Sequence, residues 1–348
     1  MTEKYSVEQV ENGRFIFKAS SPDSSPVKLY HLKSLDDLEP QFLLEADAPE
    51  FSVALSGANV RSYFLVESAQ GGMQMVAERT LPVEGMNNFR DMGGYSAADG
   101  KMVKWGKLYR SDHLYNATDR GVEYLRQLGI HTVIDYRSDD EIEKYPNRDL
   151  ADNVQTYKLD PAAHTAELSA QFSSSKQEED QNLIREIIAQ KQNGTLVNRY
   201  DIVMKQYENF VFQEKSQIAF AEMLRIAVNP KAAAIVQHCR GGKDRTGFGA
   251  MLLLGVLGVQ KADLVADYML TAANREERNR VKMTRYRELT DDEEVLHYLY
   301  SLIDTRPEFI EASIEKIETS FGSIQNYAKE ALGLSDAEVD SLKQNYLV

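Results

Sequence analysis

The sequence predicts an α/β protein in which a small N-terminal β-sandwich precedes a parallel sheet flanked by helices. Three observations carry that prediction. Large apolar side chains alternate at period two early in the chain, as in half-buried strands. Beyond Leu81-Pro82-Val83-Glu84-Gly85 the rhythm changes to strand and helix in turn, the pattern of a parallel sheet. The C-terminal portion then runs at helical spacing. A chain of 348 residues, 43% of them hydrophobic, has room for about two domains. The expected division is 1–84 for the sandwich and 85–348 for the larger unit.

Each element has a local reason. Phe15 and Phe17, Val27 and Leu29, Phe51, Val53 and Leu55, then Tyr63 and Leu65 mark strands. Between them Ser21-Pro22-Asp23-Ser24-Ser25-Pro26, Ala48-Pro49-Glu50 and Gln70-Gly71-Gly72 supply turn chemistry. Thr118 caps a helix whose Val122, Leu125 and Leu128 face inward, and Gly129 suits the left-handed position that closes it. The stretch 132–136 is the next strand. A second, 232–237, leads through a glycine-rich turn into 248–259, which is apolar on all sides and therefore a buried helix. Between these strands, 167–230 shows helical spacing at Leu183, Ile184, Ile187 and Ile188 after a Ser173-Ser174-Ser175 entry. That is more chain than one crossover needs, and a helical lid is expected around 165–200. The stretch 309–321 is helical, and Ser335-Asp336-Ala337-Glu338 is a capping box opening the last helix.

Composition excludes several classes. A net charge of −14 disfavours sequence-independent binding to nucleic acid or to an anionic membrane surface, so an anionic substrate must be met by local charge. The apolar run 248–259 falls well short of the ~20 residues of a membrane span, and Met1-Thr2-Glu3-Lys4 lacks a signal-peptide pattern. The expectation is no transmembrane segment and a cytoplasmic location, or a secreted one if a leader was trimmed. Cys239 is the sole cysteine, which rules out an intramolecular disulfide framework and a multi-cysteine metal site; neither metal nor cofactor is expected. His31, His113, His131, His164 and His297 lack ligand spacing and read as core or solvated residues, and Glu276-Glu277-Arg278-Asn279-Arg280 reads as an exposed helix face.

The informative stretch is His238-Cys239-Arg240-Gly241-Gly242-Lys243-Asp244-Arg245-Thr246-Gly247. It places a thiol at a strand's end, an arginine six residues on, and a helix directly afterwards. Glycines let backbone N–H groups turn toward a phosphate, and the helix N-terminus contributes about half a positive charge. A thiol beside that terminus and basic residues is expected as thiolate. Arg245 offers a planar fork to two phosphate oxygens, which lysine does not.

This His-Cys-x5-Arg-Thr-Gly signature is similar to that of the cysteine-dependent protein tyrosine phosphatases. Its Gly-Lys-Asp-Arg form resembles the atypical bacterial branch that includes secreted tyrosine and phosphoinositide phosphatases. Asn88-Phe89-Arg90-Asp91-Met92-Gly93-Gly94-Tyr95, Leu108-Tyr109-Arg110-Ser111-Asp112, Ile134-Asp135-Tyr136-Arg137-Ser138 and Ala266-Asp267-Tyr268 follow in the order typical of that branch. The resemblance implies a tyrosine-phosphatase-like sheet and a two-step displacement through a phosphocysteine on Cys239. It further implies that Arg240, Gly241, Gly242, Lys243, Asp244 and Arg245 hold the phosphate, and that Thr246 hydrogen-bonds the sulfur. His238 is expected to orient the loop, with Asp91, Asp135 and Arg137 as braces. By position after the strand that follows the Asp-x-Arg-Ser element, Asp160 is the first choice of general acid. Asp244 is the second, since beside Arg245 it suits a carboxylate better than a proton donor.

The expected partner is a phosphorylated protein or a phosphoinositide, the latter because Arg240 and Lys243 add positive charge in an acidic chain. A non-catalytic phosphate-binding module is the competing reading. A disulfide-relay arsenate reductase lacks its second thiol here.

Overall fold

The computed structural model of the protein describes all residues except 1–4, 12, 22–25, 38, 56–60, 70–71, 164–175 and 198. The turns expected at 22–25 and 70–71, the serine entry at 173–175 and His164 lie outside the described residues.

The N-terminal strands are β1 (Tyr5–Glu11), β2 (Arg14–Ala19), β3 (Val27–Leu32), β4 (Gln41–Ala46), β5 (Glu50–Ala54), β6 (Tyr63–Ser68) and β7 (Met73–Ala77). They form two antiparallel sheets, ordered β1-β2-β5 and β4-β3-β6-β7. Phe15 and Phe17 of one sheet meet Val27, Leu29, Phe64 and Val66 of the other in a single core, with the Phe17 and Phe64 rings edge-to-face at 4.9 Å. On β6 the face assignment differs from expectation. Phe64 and Val66 point into the sandwich, while Tyr63 and Leu65 pack with Trp105 of the following unit. Both faces of this strand are covered, so alternation marks the strand without revealing which face is the core.

The second unit is built on β8 (Arg90–Asp91), β9 (Leu108–Ser111), β10 (Thr132–Asp135), β11 (Gln155–Lys158) and β12 (Ile235–His238). The order is β11-β10-β12-β9-β8, with β9 to β12 parallel and β8 antiparallel at the edge. Helix α1 (Asp119–Gln127) begins where Thr118 Oγ1 accepts the Gly121 N–H at 3.2 Å and ends before Gly129 at φ +65°. A short α2 (Asp139–Lys144) follows β10. The long connection before β12 carries α3 (Lys176–Gln192), α4 (Arg199–Phe212) and α5 (Glu214–Val228). After β12 come α6 (Asp244–Val256), α7 (Lys261–Asn274), α8 (Glu276–Leu289), α9 (Glu293–Ile303), α10 (Pro307–Phe321), α11 (Ile324–Glu330) and α12 (Asp336–Tyr346). The expected capping box at α12 forms, Ser335 N–H donating to Glu338 Oε2 at 2.7 Å and Glu338 N–H to Ser335 Oγ at 3.3 Å. Helix α6 is buried from Arg245 to Val256, because beyond Arg245 its residues are small or apolar all round and helices pack on its flanks. Among the described residues no helix is long and apolar enough to cross a membrane.

One buried ion pair joins the two units. Arg61, just before β6, reaches Asp91 Oδ2 at 2.6 Å and also donates to the Tyr109 hydroxyl and the Glu78 carbonyl, both at 3.1 Å. Asp91 further accepts the N–H groups of Gly93 and Gly106 at 2.7 Å. The expectation that Asp91 braces the phosphate loop is therefore corrected: its carboxylate ties the sheet's edge to the sandwich.

Arg61→Ala leaves the Asp91 carboxylate buried without its counter-ion and is expected to lower stability by about 3–5 kcal/mol. Urea unfolding checks this; a change within about 0.5 kcal/mol, as for an ordinary surface substitution, contradicts it.

Candidate active site

The loop between β12 and α6 lies at the C-terminal edge of the parallel strands. Gly242 sits at φ +63°, and a Cβ there would lie 2.4 Å from the Ser111 carbonyl oxygen, so only glycine lets the loop pass the end of β9. Its carbonyl groups are drawn away from the loop's interior. Gly242 O accepts from Arg110 Nη2 at 2.9 Å and Asn88 Nδ2 at 3.2 Å, Gly241 O accepts from Asn88 Nδ2 at 3.3 Å, and Arg240 O accepts the His113 N–H at 3.3 Å. A planar trans peptide puts C=O and N–H on opposite sides, so tethering these oxygens turns the following N–H groups the other way.

The tethers are themselves held. Asp267 Oδ2 takes Arg110 Nη1 at 2.5 Å, Asp267 Oδ1 takes Arg90 Nε at 3.2 Å, and Arg90 Nη1 donates to Asn88 Oδ1 at 2.5 Å. Burial alone raises a carboxyl pKa, but Arg90 and Arg110 outweigh it and keep Asp267 well below the usual carboxylate range. Tyr268 packs where a Cβ on Gly247 would come within 2.9 Å of its ring. The Ala266-Asp267-Tyr268 element thus serves the loop from α7, and Asp267, Arg90, Arg110 and Asn88 are functional-site neighbours that local spacing does not single out.

Arg245 is 2% exposed. Glu141 of α2 grips it with Oε2 on Nη1 at 2.6 Å and Oε1 on Nη2 at 2.9 Å, and the Tyr136 carbonyl accepts from Nη1 at 3.1 Å. Its Nε is buried without a hydrogen-bond partner among the described residues. The Nε–H and the remaining Nη2 hydrogen share one edge of the guanidinium, so the group is left with a two-pronged donor for an oxyanion. Burial opposes the charge on Arg245, but Glu141 outweighs it and the pKa is raised, with Cys239 and Asp160 adding to the effect. Reciprocally, burial raises Glu141 while Arg245 holds it below its ordinary value. Glu141 was missed in the sequence, although Ser138-x-x-Glu141 is a capping box and could have drawn notice: Glu141 N–H donates to Ser138 Oγ at 3.4 Å and Ser138 N–H to Glu141 Oε2 at 3.1 Å.

His238 is fully buried, which lowers its pKa against the pull of Asp135 and leaves a neutral ring suited to orientation. Its Nε2 lies 3.6 Å from Asp135 Oδ2 and 3.3 Å from Asn147 Nδ2, and its Nδ1 lies 3.4 Å from the Cys239 carbonyl. Arg137 clamps Asp135 with Nε at 2.9 Å and Nη2 at 2.7 Å. Asp135 and Arg137 thus stand against His238, the residue that precedes Cys239. The Thr246 hydroxyl has no hydrogen-bond partner among the described residues, so its expected bond to the sulfur is not made.

Cys239 is 3% exposed. Together with Arg240, Gly241, Lys243, Asp244 and Arg245 it lines a cavity of about 750 Å³. His113 and Tyr145 form one side, so His113 belongs to the site rather than only to the core; Arg240 lies over the Tyr145 ring at 5.2 Å. The expected lid region contributes Leu183 and Ile187 of α3, which pack on α9. The opposite wall departs from expectation. Arg275 is buried, and Arg278, Lys282 and Arg285 of α8 line the cavity together with Glu277, whose carboxylate pairs with the exposed Arg280 at 2.5 Å. The spacing of 275, 278, 282 and 285 keeps these cations on one helical face, a signal available in the sequence. Lys243 departs too: its Nζ donates to the Asp304 carbonyl at 2.7 Å.

The two candidate proton donors are placed differently. Asp160 closes a turn, its Oδ1 accepting the Ala162 N–H at 2.9 Å and its Oδ2 lying 3.4 Å from Lys215 Nζ. Among the described residues it does not line the cavity. Asp244 does, with the Tyr207 hydroxyl donating to Oδ1 at 2.9 Å. Of the two, Asp244 is the one that lines the cavity.

Residues 81–348 match the tyrosine phosphatase family. The chain is 27% identical over 287 residues to a protein of Cupriavidus necator provisionally named a tyrosine-protein phosphatase, covering 82% of this chain and 95% of that one. It is 26% identical over 284 residues to the triple specificity protein phosphatase PtpB of Mycobacterium tuberculosis, covering 77% of this chain and 98% of that one. A tyrosine-protein phosphatase of Nostoc commune matches at 40% identity over 57 residues, 16% of this chain and 19% of that one.

Burial raises Asp135, but His238 and Arg137 outweigh it and bring its pKa to about 2. A depressed carboxyl pKa contributes stability above its unfolded value, near 4, that is lost as pH falls through about 2. Urea midpoints measured from pH 5 to pH 2 are expected to fall more steeply for wild type than for Asp135→Asn; parallel profiles contradict the assignment. Glu141→Gln removes the charge behind Arg245 and is expected to weaken inorganic phosphate binding by about tenfold or more, on the scale of a charge-assisted hydrogen bond. Calorimetric titration checks it.

Proposed function

The chain belongs to the tyrosine phosphatase family, and on that premise we propose that it hydrolyses phosphotyrosine, with phosphoserine and phosphothreonine as further substrates, through a phosphocysteine on Cys239. The observation that carries the reading is the open edge of Arg245, backed by Glu141, in the cavity that Cys239 lines. The substrate's phosphoryl oxygens take that edge and the inward loop amides, which hold the equatorial oxygens where transition-state charge accumulates. The Cys239 thiolate attacks phosphorus, the bond to the leaving oxygen breaks, and a carboxylic acid delivers its proton to that oxygen. Water then attacks the phosphocysteine, the same carboxylate takes the water's proton, inorganic phosphate leaves and the thiolate is restored.

Access favours Asp244 as the proton donor. Asp160, which stands within electrostatic reach of Arg245, is the second candidate. The name of the mycobacterial relative supports a range wider than phosphotyrosine. The basic cavity wall also favours polyanionic esters, phosphoinositides among them. In this reading residues 1–84 are an accessory unit fixed to the catalytic unit by Arg61 and Asp91.

Cys239→Ser is expected to reduce p-nitrophenyl phosphate turnover by about 10⁴-fold or more, since no other group supplies the nucleophile. Wild-type protein that binds phosphate and turns over no phosphomonoester is a phosphate-binding module instead. Asp244→Asn is expected to cost about 10²–10⁴-fold on alkyl phosphates, and less on p-nitrophenyl phosphate, whose leaving group needs little protonation. A larger loss in Asp160→Asn transfers the role to that residue.

A further inference from the structure

We propose that Arg275, Arg278 and Lys282, with Arg240 of the loop, form a second anion subsite on the same cavity, which receives a second phosphate of a doubly phosphorylated substrate. The proposal rests on the phosphatase reading of Cys239 and Arg245, and it adds a substrate class to that reading. The scissile phosphate is served by the Arg245 edge and the loop amides, so the cations along α8 are surplus to it. Arg275 is buried against the loop, where a Cβ on Gly241 would lie 2.9 Å from its Nη1. Arg278 is half-buried; it donates to Asn279 Oδ1 at 3.1 Å and forms no ion pair with a described carboxylate. Lys282 pairs with Asp180 of α3 at 3.2 Å.

The other carboxylates on the cavity wall have hydrogen-bond or ion-pair partners outside the cluster, although Asp112 and Asp244 also offset part of the charge of Arg275, and Asp112 part of that of Arg278. Asp112 accepts the N–H groups of Asn87 and Asn88 at 3.3 and 3.1 Å, Asp244 accepts from Tyr207, Glu186 accepts from Gln190 at 2.8 Å, and Glu277 pairs with Arg280. The four cations also crowd one another. Burial and then Arg275 lower Arg278 to about 10, and burial, with Arg278 and Arg240 adding, lowers Lys282 to about 8 against the pull of Asp180. Like charges held together away from water, in a chain of net charge −14, are a standing demand for an anion. The cavity, about 750 Å³, lies within the roughly 300–1,000 Å³ of pockets that enclose whole small ligands, well beyond one phosphoryl group.

The test compares kcat/KM for peptides carrying one phosphotyrosine and two adjacent phosphotyrosines, and for inositol monophosphate and inositol bisphosphate, with p-nitrophenyl phosphate as reference. Wild type is expected to prefer the doubly phosphorylated member of at least one pair by tenfold or more. The pair that shows the preference identifies the carrier of the second phosphate. The double variant Arg278→Ala, Lys282→Ala is expected to bring that ratio close to one, and Arg278→Lys, Lys282→Arg to restore most of it, which a folding defect cannot do. The ratio is also expected to fall as salt rises. Absence of a preference in wild type with p-nitrophenyl phosphate still turned over, or a preference that survives the alanine variant, overturns the subsite alone. Absence of turnover on every substrate overturns the phosphatase reading with it.

Discussion

The Asp267 carboxylate, buried between Arg90 and Arg110, is the interaction from which the site's geometry follows. None of the three charges is sustainable alone in that interior, because desolvation costs several kcal/mol per ion unless geometry and hydrogen bonding are satisfied together. Their joint solution places Arg110 and Asn88 on the loop's carbonyl oxygens. A phosphate loop has an intrinsic problem: its glycines allow inward N–H groups and do not compel them. The buried triad compels them from outside, before any ligand arrives, which is the condition for electrostatic stabilisation without reorganisation.

The same logic governs Arg245. A free guanidinium presents several edges and many rotamers, and its selectivity for a tetrahedral oxyanion is correspondingly poor. Glu141 and the Tyr136 carbonyl occupy the terminal nitrogens from behind, so one edge is left to face the cavity. Because Glu141 also closes the capping box of α2, the start of a helix and the orientation of the Arg245 guanidinium are one constraint. Reducing the guanidinium's freedom in advance lowers the entropy lost on binding.

Strand β8 shows how the N-terminal sandwich is joined to this frame. Arg90 and Asp91 are adjacent and therefore point to opposite faces. Arg90 serves the loop through Asp267 and Asn88, and Asp91 receives Arg61 from the sandwich. The loop's support and the inter-unit bond are thus successive residues of one short strand.

By itself the sequence determined the loop, its flanking strand and buried helix, the caps at Thr118 and Ser335, and the order of strand and helix, because each depends on residues close together in the chain. Local spacing suffices where propensity, capping and periodicity act over a few residues. Tertiary structure alone decided that Glu141 stands behind Arg245, that Asp267 fixes the loop from α7, that Asp91 faces the sandwich instead of the loop, and that Lys243 turns to Asp304. It also decided that the charged helix α8 turns one face to the cavity, since a surface charge run and a binding wall read alike until something packs opposite them. These are long-range pairings between residues far apart in the chain. Such partners are chosen by burial and charge compensation in three dimensions, and linear spacing carries no record of either.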